Sequence, residues 1–189
     1  LNGHSLASLK SAVNHRDDVS GFENETIRTV VLRNWRDESF LYRVFLRLNT
    51  GSLPLSPQEL RQALNPGPFT TYADERSSVS LGLRRVLGNE AADFRMRDVE
   101  LFVRFFAFSL FLETYTGNLK GFLDDTCKKL NAGWEEARAG AEKTTDELEA
   151  AIEATYEIFK EGAFRRWVNG KPEQRFNRAI FDIMLFYFK

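Results

Sequence analysis

The chain has 189 residues, 43% apolar and 28% charged, and its 26 Lys and Arg against 27 Asp and Glu give a formal net charge of −1. Those are the proportions of a globular domain, long enough to bury roughly 70% of the surface its unfolded form exposes. One cysteine, Cys127, excludes an internal disulfide framework and fits a reducing, cytoplasmic setting. The longest uncharged run, Gln62 to Ala73, is broken by Pro66 and Pro68 and falls short of the roughly 20 apolar residues of a membrane span, so no membrane partner is expected.

Neither a basic stretch followed by an apolar run nor a tag is visible ahead of the first periodic segment, and the expectation is a fragment of a longer protein. Leu6 to Val13 reads as a short helix. Thr26 to Leu32 (TIRTVVL) is the one β-branched run and alternates as a strand does. A lone strand needs partners for its ladder, which again points to a missing segment. Residues 1–36 are therefore expected to be the remnant of an upstream α/β part, and 37–189 a helical domain.

From Asp37 onward the periodicity is helical. Phe40, Leu41, Val44, Phe45 and Leu48 share one face of a helix that stops near Asn49 and Gly51. Ser56, Pro57 and Glu59 supply an N-cap, a proline at the first helical position and a capping-box glutamate; Asn65-Pro66-Gly67-Pro68 closes that helix. Two short helices follow, Phe69 to Arg76 and Leu81 to Leu87. Asp98 is placed to cap the long helix Val99 to Thr114, whose polar positions Glu100, Arg104, Ser109 and Glu113 form one narrow stripe, so this helix belongs at the centre of the fold. A helix through Leu119, Phe122, Leu123, Cys127 and Leu130 comes next. Thr144 with Glu147 reads as a second capping box opening a helix that Gly162 ends, and the last helix is expected over Glu173 to Phe188. The fold class is mainly α: an irregular bundle of about seven helices with one short N-terminal strand left over from an α/β half.

Arginine outnumbers lysine 18 to 8. Guanidinium forks suit carboxylates and phosphates, although a GC-rich genome gives the same excess. Charge is balanced along the chain, with 13 basic and 13 acidic residues in 1–100 and 13 and 14 thereafter, so nucleic-acid contact would need a local patch. The arginine pairs Arg84, Arg85 and Arg165, Arg166 are the candidates for DNA phosphates, with surface ion pairing as the other use.

Known chemical signatures are absent. Gly170-Lys171 is followed by Pro172 and makes no P-loop; there is no G-x-G-x-x-G or G-x-S-x-G, and no lysine has an acidic residue two positions before it. His4 and His15 are the only histidines, and Asn14-His15-Arg16-Asp17-Asp18 reads better as a polar helix end than as a metal box. Cys127 sits on an apolar helix face as a small core residue. No catalytic residue and no metal ligand is assigned. Seventeen phenylalanines, clustered in Phe102 to Phe111 and Phe176 to Phe188, signal a heavy core or an interface such as a homodimer through the last helix.

The segment Phe45 to Arg61 carries F-x-R-L-N-T-G-x-x-P-L-S-x-Q-E-L-R. As plain physics it is a helix, a polar turn and a capped helix whose N-terminal amides suit an anion. It also resembles the hallmark of the domain of unknown function 262 family, related to the N-terminal part of GmrSD-type restriction proteins. Phe69, Arg95-Met96-x-Asp98-x-Glu100-Leu101, Arg104-Phe105, Phe122-Leu123, Ala163-Phe164-Arg165 and Asn177-x-Ala179-x-Phe181-Asp182 are similar to successive landmarks of that family, and Leu1-Asn2-Gly3 with Ser8-Leu9 to the segment after its catalytic motif.

The resemblance implies a ParB/sulfiredoxin-like α/β part carrying Asp-Gly-Gln-Gln-Arg for nucleotide hydrolysis, followed by a helical part. This chain has no Asp-Gly-Gln-Gln-Arg, so the resemblance places it in the helical half, with no enzyme activity of its own and with nucleoside triphosphate and magnesium belonging to the intact parent. It further implies phage defence or modification-dependent DNA restriction, an upstream ParB-like partner and contact with DNA. Arg47, Asn49, Thr50, Gly51, Glu59 and Arg61 are the residues expected to line or brace the nucleotide pocket; Arg95 and Asp98 are the candidate ion pair locking the central helix. The alternative is a stand-alone helical interaction module with no hydrolytic role.

Overall fold

The computed structural model describes residues 5–27 and 54–189, with 29, 31, 33, 40, 44 and 47 between them. The chain divides into two compact units, Leu1–Arg36 and Asp37–Lys189. In the first, α1 (Leu6–Ser11) starts where the Ser5 hydroxyl accepts the Ser8 amide, and a 3₁₀ turn leads into α2 (Arg16–Glu23). Within the predicted strand, Thr26, Ile27, Thr29 and Val31 have no regular secondary structure, while Arg28, Val30 and Leu32 lie outside the described residues. The first unit thus has no strand among its described residues. In the second unit Phe40, Val44 and Arg47 are helical, at positions of the helix expected there; the rest of that helix lies outside the described residues.

Seven further helices build the second unit. In α3 (Pro57–Leu64) the capping box forms as expected, with the Glu59 amide 3.1 Å from Ser56 Oγ and the Glu59 carboxylate accepting the Ser56 amide. Two polar helix starts are closed from a distance. Gly67 begins α4 (Pro68–Val79) without a side chain of its own, and Asn131 Oδ1 accepts the Phe69 and Thr70 amides at 2.9 and 3.2 Å. A Cβ at Gly67 would fall 2.4 Å from the Asn131 carboxamide carbon, so only glycine lets that amide in. Ser80 caps α5 (Leu81–Leu87), and Glu149 accepts both its hydroxyl and the Gly82 amide.

The apolar helix α6 (Arg97–Phe111) is the axis of this unit, touching α3, α4, α5, α7 (Leu119–Ala132), α8 (Trp134–Phe159) and α9 (Arg178–Phe188). Val99, Leu101, Phe102, Val103, Phe105 and Phe106 are all buried, and Phe102 stacks on Phe106 with ring centroids 4.7 Å apart. Burial of such a side chain is worth about 3–5 kcal/mol against truncation to alanine. Cys127 is fully buried in the same core, its thiol pushed up to about 12 by desolvation.

Three boundary expectations are corrected. Thr144 does not open a helix: α8 runs unbroken through it, and Thr144 and Thr145 hydroxyls bond back to the Gly140 and Ala141 carbonyls. Asp98 is not the cap of α6, which starts after Met96; the upstream Asp93 carboxylate accepts the Arg97 amide at 3.3 Å. The last helix starts at Arg178 rather than Glu173, because residues 165–176 form an antiparallel hairpin of β1 (Arg165–Val168) and β2 (Lys171–Phe176). Asn169 and Gly170 both have positive φ, 50° and 75°, the signature of a two-residue turn whose twist matches its strands.

Candidate functional site

The segment leading into α3 is clamped to the helical core by charged side chains. Arg95 Nη2 lies 3.2 Å from Glu59 Oε2 and also donates to the Pro54 carbonyl, while Ser56 Oγ donates to the Arg95 carbonyl at 3.1 Å. One turn on, the buried Arg61 places Nε 2.7 Å from Asp124 Oδ1 on α7 and donates through Nη1 to the Gln58 side-chain carbonyl. Gln58 is itself wholly buried, and its Nε2 has no partner among the described residues. Glu59 therefore turns to Arg95, just ahead of α6, and Arg61 turns inward onto α7. Arg47 is helical and exposed; Asn49, Thr50 and Gly51 lie outside the described residues.

Arg95 and Asp98 are not an ion pair. Arg95 turns to Glu59, and the buried Asp98 carboxylate accepts the Asp93 and Val99 amides at 2.9 and 2.8 Å. Backbone amides need an acceptor at the start of a buried helix, and Asp98 is close enough to serve both. The neighbouring Asp93 gathers Arg97 Nε, Asn89 Nδ2 and the Arg95 amide. Burial alone would raise the Asp93 carboxyl, but those donors outweigh it and hold the group down at about 2.

A second charged cluster joins α6 to α9. Arg104 holds Asp182 through Nε at 2.9 Å and through Nη2, and Glu100 lies between Arg104 at 3.6 Å and Arg178 at 3.5 Å. Burial pushes the Asp182 carboxyl above its ordinary value, and the Arg104 guanidinium opposes that.

The four arginines expected to meet phosphates do not share one face. Arg84 turns back to the Ser78 carbonyl. Arg85 pairs with Glu153 at 2.9 Å and covers the Tyr156 ring, its guanidinium carbon 3.9 Å from the centroid. Arg85, Lys160 and Arg165 line one open groove of about 580 Å³ opposite Glu153, Glu157 and Glu161, so its charges balance and it has no excess of cations for phosphates. Arg166 belongs to a different groove, with Arg175 and Arg178, which sequence reasoning missed. Asn169-Gly170 between an Arg-Arg-Trp-Val and a Lys-x-Glu-Gln-Arg-Phe segment was the available signal. His15 bonds Asp18 at 3.1 Å, and no group of three metal-ligating side chains occurs among the described residues.

No helix among the described residues is long and apolar enough to cross a membrane. Comparison with protein-family models, with curated proteins and with solved structures gives no match to this chain.

Proposed function

We propose that this chain is the helical half of a nucleotide-dependent DNA restriction or phage-defence protein, bracing the nucleotide site of a preceding ParB-like hydrolase part. The observation that carries the reading is where the landmarks of the resemblance meet. Glu59 of the hallmark block pairs with Arg95 of the next landmark; Arg104 pairs with Asp182; Asn177 donates its amide to the Phe164 carbonyl at 2.9 Å, and Phe164 packs on Phe181 at 5.2 Å. Residues far apart in sequence and shared with one family pattern are each other's partners, as expected of a framework the pattern encodes.

In this reading Glu59, Arg61 and Arg95 act as positioning residues. Their charged groups are engaged within the helical part, so they fix the segment ahead of α3 and do not touch nucleotide. Nucleoside triphosphate and magnesium belong to the preceding part. The test is triphosphate hydrolysis by the polypeptide that joins this chain to the region encoded immediately before Leu1. Turnover is expected there and not in residues 1–189 alone, with Arg95→Ala and Arg47→Ala each lowering it at least about tenfold, or about 1.4 kcal/mol. Unchanged turnover in both variants would reduce the block to scaffold.

A second reading, an interaction module that self-associates through α9, is favoured by an apolar groove of about 320 Å³. Ile183, Phe186 and Tyr187 of α9 line it opposite Phe108, Leu112 and Tyr115, and Ile183 and Tyr187 are 58% and 77% exposed. Light scattering across a concentration series separates the two readings, since a monomer throughout removes the second.

A further inference from the structure

Residues 165–178 carry five cationic side chains, Arg165, Arg166, Lys171, Arg175 and Arg178, against one carboxylate, Glu173, in a chain whose net charge is −1. The hairpin and the first turn of α9 divide these cations between two faces. Arg165 turns toward the charge-balanced groove beside Tyr156. Arg166, Arg175 and Arg178 instead surround a separate open groove of about 400 Å³, where Glu173 is the only acidic lining residue among the described residues. Asn177 and Ala179 complete that groove at the N-terminus of α9, the positive end of an 11-residue helix.

The cations here are weakly committed. Arg166 reaches Glu173 at 3.4 Å and Arg178 reaches Glu100 at 3.5 Å, both longer than the roughly 2.7–2.9 Å of a tight charge-assisted bond, and both arginines are largely solvent-exposed. Arg175 and Lys171 have no carboxylate partner among the described residues. By contrast, Arg61 and Arg104 are buried on aspartates at close range, so they are not available to a ligand.

The frame around the groove is fixed. The two-residue turn leaves no slack at the tip, and Trp167 rests against Gly162 so closely that a Cβ there would fall 2.6 Å from the indole. Phe176 packs edge-on to Phe181 at 5.8 Å, and Asn177 Oδ1 takes the Ala179 and Ile180 amides. With the hairpin backbone held, binding orders the side chains alone, which favours a ligand that meets several cations at once.

We infer that the groove between the hairpin and the N-terminus of α9 binds the phosphodiester backbone of DNA through Arg166, Arg175 and Arg178, with Lys171 extending the contact toward the hairpin tip. From Lys171 to Arg175 the strand spans at most about 13 Å at its usual rise per residue, a spread suited to successive phosphates along a strand rather than to one free anion. Contacts to phosphates fix where DNA lies without carrying sequence information. The inference uses none of the residues clamped around α3; its choice of DNA rests on the restriction reading above, and because its test reads duplex binding and no hydrolysis, the two can fail separately.

The test is fluorescence anisotropy of a labelled DNA duplex of about 20 base pairs titrated with residues 1–189. With about three phosphate contacts, affinity is expected to fall about 40-fold between about 50 and 200 mM salt. Arg166→Glu with Arg175→Glu should weaken binding at least about tenfold at the lower salt, while Arg138→Glu with Lys143→Glu, exposed on α8, should leave it within about twofold. Circular dichroism melting keeps the comparison between folded proteins. Equal losses in the two charge-reversed proteins, no loss in the first, or no duplex binding at the lower salt would overturn the site. Displacement of the duplex by inorganic phosphate at equal phosphate concentration would also overturn it, by assigning the groove to a free anion.

Discussion

Arg104 and Asp182, 78 residues apart, form a two-point contact that ties the central helix α6 to the last helix α9, with their side chains only 6% and 12% exposed. Both sit where a core would otherwise be apolar, so the pair specifies which face of α9 turns inward. Removing one partner strands the other charge in a poorly solvated place.

Asp182→Ala should therefore destabilise the protein by about 3–5 kcal/mol, read as a lower urea midpoint at unchanged slope. Replacing the pair together, Arg104→Met with Asp182→Leu, should recover most of that loss. A double variant no better than the single one would show that the pair contributes more than mutual neutralisation.

Trp167 and Gly162 lie so close that Gly162→Ala forces the indole away from the backbone. A loss of about 1–3 kcal/mol is expected from the overpacking, with the emission of Trp167, already 52% exposed, shifting further to the red. An unshifted spectrum and unchanged stability would mean the ring moves without cost.

Asp93 sets an acid limit. Its carboxyl is held at about 2 in the folded protein, below the ordinary carboxylate value of 3.8, so its contribution is complete above about pH 4 and is lost as the pH falls toward 2. The stabilisation amounts to about 2 kcal/mol. Asp93→Asn should lower stability at neutral pH and flatten the decline between about pH 4 and 2, measured by urea unfolding at each pH. A variant with the same acid profile as the parent would place the sensitivity elsewhere.

Cys127 should not react with a disulfide reagent in the folded protein, because burial raises its thiol to about 12 and closes access. It should react stoichiometrically once urea exposes it. Rapid labelling of the native chain would contradict the packing of α7 on the core.

The helical character, the capping box at Ser56, the closing of α3 at Asn65 and the central position of α6 are legible in the sequence, because each follows from local patterns of caps, prolines and apolar spacing. The errors have local causes too. Thr144 and Glu147 match a capping box, but the hydroxyl of Thr144 is satisfied by the Gly140 carbonyl, and alanine-rich surroundings carry the helix through. Only the end of the hairpin, Glu173 to Phe176, falls inside the expected last helix, because Glu173, Gln174 and Arg175 favour helices; Asn169-Gly170 and Pro172 are the local signals of a turn and a strand. Partner identity was the least legible feature. Arg95 has two carboxylates within four residues, Asp93 and Asp98, yet pairs with Glu59, which only the packing of α3 brings near.

The function we propose, the helical half of a nucleotide-dependent defence protein, is decided by the coding sequence immediately before Leu1. An in-frame α/β segment carrying Asp-Gly-Gln-Gln-Arg is expected there, with triphosphate hydrolysis by the joined polypeptide. A reading frame that opens at or near Leu1, or an upstream segment without that motif and without hydrolysis, would contradict it.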